Sequence, residues 1–227
     1  KGGMPSLQTV GSTDITLFRS QELNLEAFGI PSSCDNALAK LLAYSWKGYK
    51  EYNTDDSLVN VARDPRKYKL EPYTLVPLKA YMFVVRCTAY KLGEYAETTI
   101  YVTVINDIVK AIIEGPSAIP GDVELTLDGS SSRDYDLPVE ADQQLSYSWS
   151  CTYGAGSSSD KYGTSCDADA GGPSISGATT AVLTVAENTM LTSWTYDYRL
   201  SITAADGLRV DEVLHSVTIK VSGTPLV

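Results

Sequence analysis

The pentapeptide Leu-Ala-Tyr-Ser-Trp at residues 42–46 returns as Leu-Ser-Tyr-Ser-Trp at residues 145–149. The two copies are roughly 100 residues apart, which is the length of one antiparallel β-sandwich domain. Two flanking segments repeat in the same order, at residues 22–27 and 124–129 and at residues 81–87 and 196–202. Three matching segments in one order indicate two copies of one fold.

The pattern of apolar residues predicts β-strands in both copies. Every second residue from Tyr81 to Cys87 is apolar or aromatic, and residues 98–104 are rich in β-branched side chains. Alternation with a period of two is typical of a strand with one buried face. We therefore predict an all-β chain of two tandem immunoglobulin-like β-sandwich domains, at residues 1–109 and 110–227.

The negative net charge of the chain argues against some classes of binding partner. The formal net charge is −10, from 18 basic and 28 acidic residues scattered along the chain. Such a chain repels nucleic-acid phosphates and anionic lipid headgroups, so we expect neither nucleic-acid binding nor direct membrane contact. No apolar stretch approaches the roughly 20 residues that cross a bilayer, and the opening residues do not show the apolar run expected of a signal peptide. We expect a piece of a longer protein whose partners are proteins or neighbouring repeats of the same polypeptide.

The four cysteines favour an oxidising compartment. Cys34 and Cys87 lie in the first copy, and Cys151 and Cys166 lie in the second. Four cysteines allow three pairings, and two per copy favour one bridge within each copy. The alternative is four reduced thiols in a cytosolic protein. A structural zinc site has little support, because no Cys-x-x-Cys spacing occurs and the chain has one histidine.

One group of acidic residues is a candidate calcium site. Asp128, Asp134 and Asp136 lie within nine positions of one another, and Asp206 occupies another turn that could approach them. Calcium prefers oxygen ligands of this kind, although the spacing is not that of an EF-hand. The alternative is that these side chains cap turns through the local backbone. No other cofactor is expected.

Aromatic residues in the second copy are a candidate sugar-binding surface. Trp194, Tyr153 and Tyr162 could form a stacking platform for a glycan if they shared one flat surface. Isolated aromatics more often pack on their own loop, so the platform is the weaker of the two hypotheses.

Catalysis has no motif to support it. The sequence lacks the Gly-x-Ser-x-Gly, P-loop and His-Glu-x-x-His patterns. Its one histidine, His215, is expected at the surface, without a recognisable catalytic partner. We predict that the chain is not an enzyme.

The second copy resembles a known family. Residues 127–136 read Leu-Asp-Gly-Ser-Ser-Ser-Arg-Asp-Tyr-Asp and precede the Tyr-Ser-Trp strand. That combination is similar to the signature of PKD domains. The cysteine after Trp149, the cysteine-bearing insertion and residues 183–189 resemble the receptor-for-egg-jelly (REJ) variant, which is found in polycystin-type and related ciliary or cell-surface proteins. The first copy carries the Tyr-Ser-Trp strand but lacks the Gly-Ser-Ser turn.

The resemblance implies a function without chemistry. It predicts an extracellular spacer, adhesion or assembly module within a larger cell-surface or ciliary protein. A carbohydrate-binding accessory region of a secreted hydrolase is the alternative, and a glycan is then the partner.

Overall fold

The structure of the protein, a computed structural model, describes residues 4–31, 41–89, 93–166 and 172–221. These ranges contain β-strands, turns and loops but no helix, so the all-β prediction is confirmed. The chain divides into two compact units, residues 1–107 and 108–227. The predicted boundary, after residue 109, lies two residues further on. That the two units are independent domains stays a prediction.

The first unit contains eight strands. They are β1 (Ser6–Thr9), β2 (Asp14–Phe18), β3 (Leu23–Ile30), β4 (Leu42–Lys50), β5 (Asn53–Thr54), β6 (Lys67–Leu70), β7 (Ala80–Ala89) and β8 (Tyr95–Ile105).

Two sheets enclose the core of the first unit. One has the strand order β1-β3-β6, and the other has the order β2-β8-β7-β4-β5. All pairs are antiparallel except β2 with β8. The predicted inward face of β7 is confirmed, because Tyr81, Phe83, Val85 and Cys87 are all buried. These strands pack against Leu23, Leu25 and other apolar residues of the facing sheet, which is the sandwich arrangement.

The second unit contains nine strands. They are β9 (Val109–Lys110), β10 (Ala118–Pro120), β11 (Leu125–Asp128), β12 (Arg133–Asp134), β13 (Ser146–Tyr153), β14 (Ile175–Ser176), β15 (Val182–Val185), β16 (Thr195–Thr203) and β17 (Val210–Lys220).

The second unit repeats the pairing pattern of the first. Its larger sheet has the order β10-β17-β16-β13, and its smaller sheets have the orders β11-β15-β14 and β12-β9. The pair β10 with β17 is parallel, as β2 with β8 is in the first unit. Trp149, Cys151 and Tyr153 of β13 face the core, where they meet residues of β11, β15, β16 and β17.

The two repeated tryptophans make the same hydrogen bond. The indole N–H of Trp46 donates to the carbonyl of Pro65 at 3.1 Å, and that of Trp149 donates to the carbonyl of Thr180 at 2.9 Å. Trp149 is only 6% exposed, whereas Trp46 is half-buried at the margin of its core. In both units the polar edge of the ring is satisfied by a carbonyl, which allows a large aromatic to be placed in a sandwich core.

Candidate functional site

Three of the four predicted aspartates meet at one arginine. The guanidinium of Arg209 contacts both carboxylate oxygens of Asp134, at 2.6 and 2.8 Å. The same group lies 2.9 Å from Asp136 Oδ2, and its Nε donates to Asp206 Oδ2 at 2.7 Å. Arg209 follows Asp206 in the turn between β16 and β17, whereas Asp134 ends β12. The cluster therefore joins two turns that are distant in sequence.

Burial makes this cluster different from a surface ion pair. Asp134 and Asp136 are 3% and 4% exposed, whereas most other ion pairs of the described residues join side chains that are a third or more exposed. Burial alone would lower the pKa of Arg209, but hydrogen bonds to Asp134 and Asp206 and the nearby carboxylate charges outweigh it and raise the pKa. The hydrogen bond from Arg209 lowers the pKa of Asp206. The hydrogen bonds and the carboxylate charges hold Arg209 in its charged form against the effect of burial.

The fourth aspartate, Asp128, lies outside the cluster and has a local role. Its carboxylate accepts a hydrogen bond from the backbone N–H of Ser130 at 2.8 Å, and hydrogen bonds from Ser130 lower the pKa of Asp128. Its backbone exchanges two hydrogen bonds with Glu114, at 2.7 and 2.8 Å. Asp128 thus caps the turn that follows β11 and binds the segment that precedes β10.

The Gly-Ser-Ser turn at residues 129–132 binds the segment that follows β9. Ser132 Oγ accepts from the backbone N–H of Ile112 at 3.0 Å and donates to the carbonyl of the same residue at 3.2 Å. The N–H of Ala111 donates to Asp211 Oδ2 at 2.8 Å. The motif at residues 127–136, which carries the family resemblance, therefore has a structural role: it binds the backbone of residues 112 and 114 through hydrogen bonds.

This geometry does not favour calcium. Arg209 supplies the positive charge that three of the aspartates need, and Asp128 is directed to its own turn. Across the described ranges, no group of three or more His, Cys, Asp or Glu side chains is placed to hold a metal ion. Calcium binding stays an untested prediction. Arg209 was not predicted from the sequence, although a basic residue three positions after Asp206 was a visible signal.

The second unit contains the predicted disulfide between Cys151 and Cys166. Their Cα atoms are 5.4 Å apart, and 15 positions separate them in sequence. The backbone N–H of Cys166 donates to the carbonyl of Cys151 at 3.0 Å, and Tyr153 exchanges two hydrogen bonds with Thr164 and Gly163. The returning limb of the insertion therefore lies along the outer edge of β13, and the disulfide fixes it there.

The other predicted bridge cannot be placed. Cys87 is fully buried on the inward face of β7. Cys34 lies outside the described residues, so the pairing of Cys34 with Cys87 stays a prediction.

The proposed aromatic platform is not formed. Tyr153 is buried, and its ring packs edge-on against Trp194 with the centroids 5.5 Å apart. Tyr162, by contrast, is 65% exposed in the insertion. These rings do not share one flat surface, so the arrangement does not favour sugar stacking at these three residues.

The single histidine is not at a fully exposed position. His215 is half-buried in β17, with its Nε2 3.1 Å from the carbonyl of Pro116. His215 lies on the same face of β17 as Val217 and Ile219, which are buried. The predicted surface position is met in part, since the ring is half-buried and its Nε2 lies at hydrogen-bonding distance from a backbone carbonyl of the same unit.

Comparisons with known proteins agree with the class of fold. The strand pairing defines an immunoglobulin-like β-sandwich protein. A family model described as the REJ domain matches residues 29–225, which is most of the chain. The chain belongs to the REJ domain family. The match extends over both units and so includes the first copy, which lacks the Gly-Ser-Ser turn.

Solved structures show only a distant likeness. The titin domains Z1Z2 in complex with telethonin are 8% identical with a TM-score of 0.46, and 98% of this chain and 99% of that chain are covered. The immunoglobulin domains 1–5 of Sidekick-1 are 13% identical with a TM-score of 0.39, covering 96% and 39% of the two chains.

A third structure covers part of the chain. It is a nucleoside hydrolase-related hypothetical protein from Saccharophagus degradans that is associated with carbohydrate metabolism. It is 18% identical with a TM-score of 0.36, and it covers 52% of this chain and 26% of that chain. No curated protein matches the chain. The described residues include no helix that could span a membrane.

Proposed function

We propose that the chain is a non-catalytic module in the extracellular part of a larger cell-surface protein, where it acts as a spacer and interaction surface. The observation that carries this proposal is the disulfide between Cys151 and Cys166, because structural disulfides persist in oxidising compartments. Membership of the REJ domain family supports the same reading. The cell surface that we propose as its location includes the outer surface of cilia and flagella.

Three polar residues of types that often act in catalysis make structural contacts in this protein. Arg209 neutralises buried carboxylates, Ser132 binds backbone groups, and His215 contacts the backbone of its own unit. A catalytic group needs to be directed towards a substrate rather than engaged in the structure. We accordingly propose that the chain has no enzymatic activity of its own.

We also propose that the two compact units, 1–107 and 108–227, are tandem domains. Each unit has its own apolar core and its own sheets, and both contain a parallel strand pair at the same point of the topology. A unit with its own core is expected to fold by itself. The partners we propose are proteins or neighbouring repeats of the same polypeptide.

The location can be tested on intact cells. An antibody raised against this chain should label living, unpermeabilised cells that express the parent protein. Labelling that requires permeabilisation of the membrane would overturn the extracellular assignment. A control antibody against a cytosolic protein shows that the membranes are intact.

A further inference from the structure

Strand β4 of the first unit has one edge that its own unit leaves largely unpaired. Strand β7 pairs with the whole of β4, from Leu42 to Lys50, but β5 covers only Tyr49 and Lys50 on the other side. One more bond on that side runs from the N–H of Asp55 to the carbonyl of Gly48, at 3.2 Å. The carbonyl of Gly48 therefore points away from β7.

The outward direction of the Gly48 carbonyl also determines which way the backbone groups of the preceding residues point. Backbone groups of a strand alternate between its two edges. The N–H and C=O groups of Trp46, Tyr44 and Leu42 therefore point outwards, like those of Gly48. Within residues 4–31, 41–89 and 93–107, no backbone group bonds to these outward positions. Among the described residues, the outward donors and acceptors of Leu42, Tyr44 and Trp46 are therefore unpaired.

The second unit covers the same position. In β13, the N–H of Trp149 donates to the carbonyl of Ala178 at 2.8 Å, and the disulfide-bonded insertion covers the residues that follow. Natural sheets cover or shorten their edges because a free edge pairs with other chains. Trp149 is therefore paired on this side, whereas Trp46 pairs with no described backbone group there.

A groove runs along the open edge. It has a volume of about 530 Å³, against about 250 Å³ for the cavity beside Trp149 in the second unit. Its lining includes Tyr44, Trp46, Asp55, Asp56 and Asn60. The groove therefore offers an aromatic floor beside a row of free backbone groups.

The charge in the groove is negative. Hydrogen bonds from the Ser57 hydroxyl and backbone lower the pKa of Asp55, so this carboxylate stays ionised at neutral pH. Asp56 is exposed and makes no ion pair among the described residues. Lys47 lines both this groove and a second cavity with Arg86 and Glu97, so it offsets one of the two negative charges and leaves the groove acidic. The electrostatics favour a basic ligand.

We propose that the open edge of β4 binds an extended polypeptide segment with basic side chains, which adds to the sheet as a further strand. Only another extended chain has donors and acceptors at the spacing of a strand edge, and strand addition is an established mode of peptide recognition. The inference deepens the proposed function, on which it rests, by naming the kind of partner that one surface accepts.

Hydrogen exchange measured by NMR tests the edge in the free protein. The amides of Ala43, Ser45 and Lys47 should exchange slowly because they pair with β7. Those of Tyr44 and Trp46 on the same strand should exchange much faster. The two sets are matched controls for each other, since they share the same segment. Slow exchange at Tyr44 and Trp46 in the free protein would show that the edge is already covered and would overturn the inference.

A synthetic peptide tests binding. The probe is a blocked peptide of alternating threonine and lysine, about eight residues long, which matches the length of a typical strand. Its addition should protect the amides of Tyr44 and Trp46 from exchange. The control peptide carries N-methyl groups on two adjacent central residues, so that neither of its edges can pair, and should bind about tenfold more weakly or worse.

Two variants test the charge. Asp56→Asn should weaken binding of the lysine peptide about two- to fivefold, which is the range of an exposed charge pair. Glu71→Gln, at an exposed acid outside the groove, should leave binding unchanged. Equal binding of the lysine and N-methylated peptides would overturn strand addition. A dimer in sedimentation experiments that the peptide dissociates would assign the edge to a second copy and overturn the basic partner.

Failure of these tests and failure of the proposed function can be told apart. The peptide experiments do not depend on the compartment, whereas antibody labelling of intact cells does not depend on the edge of β4.

Discussion

Arg209 holds the carboxylate of Asp134 through two parallel hydrogen bonds, although the two residues are 75 positions apart. The pair joins the turn after β12 to the turn between β16 and β17. Asp136 and Asp206 contact the same guanidinium, so the side chain of Arg209 holds three carboxylates of the second unit together. This planar, bidentate geometry is one that arginine makes and lysine does not.

Arg209→Gln should strongly destabilise the protein. The substitution leaves Asp134 and Asp136 buried without a cation, which typically costs about 3–5 kcal/mol. Arg199→Gln is the matched control, because Arg199 pairs with Glu212 at the surface and its loss should cost about 1 kcal/mol or less. Urea unfolding at neutral pH measures both. Equal costs for the two variants would show that the buried cluster contributes nothing special.

Calcium should not bind to the aspartate cluster. Arg209 already provides the charge that the carboxylates require, and Asp128 is engaged with Ser130. Calorimetry with calcium at millimolar concentration should therefore give no heat of binding. A saturable heat that disappears in Asp134→Asn would contradict this account and restore the calcium site predicted from the sequence.

Tyr68 should make the first unit sensitive to alkaline pH. Burial raises the pKa of Tyr68 to about 12, against about 10 for an exposed tyrosine, and its hydroxyl donates to the carbonyl of Leu58. The neutral phenol is favoured in the folded state. Its contribution is therefore complete below about pH 10 and is lost as the pH rises through the folded pKa.

The variant Tyr68→Phe isolates this effect. It should cost about 1–2 kcal/mol at neutral pH, because the carbonyl of Leu58 loses its partner. The difference between wild type and variant should shrink above about pH 10. Tyr52→Phe, at a side chain 84% exposed, should follow the wild-type profile. A difference that stays constant with pH would contradict the burial argument.

Two glycines separate backbone strain from crowding. Gly177 and Gly207 both have left-handed backbone angles, with φ of +77° and +69°. A Cβ atom at Gly207 meets nothing within 4 Å, so Gly207→Ala should cost about 1 kcal/mol of strain. A Cβ atom at Gly177 would lie 2.2 Å from the carbonyl oxygen of Val182.

Gly177→Ala should therefore cost clearly more than Gly207→Ala. It should also speed amide exchange at Trp149, because residue 178 accepts the hydrogen bond of that N–H. Urea unfolding and hydrogen exchange measure the two effects. An equal loss of unfolding free energy in the two variants would show that the backbone of residues 177–182 shifts to accommodate the added Cβ atom.

Local patterns predicted the strands, whereas the polar contacts depended on tertiary structure. The alternation from Tyr81 to Cys87 specified a buried face because the period of a strand is two. The pairing of Cys151 with Cys166 followed from the presence of two cysteines in each copy. The role of Arg209 could not be read from the sequence, since its contact with Asp134 depends on how two distant turns meet. The open edge of β4 depends likewise on where the following loop lies.

The chemical state of the cysteines tests the central claim most directly. Native protein from the parent cell is alkylated without reductant, digested and examined by mass spectrometry. The account predicts a peptide pair linked through Cys151 and Cys166, with neither residue alkylated. Alkylation of both cysteines in the native protein would contradict the extracellular module proposed for this chain.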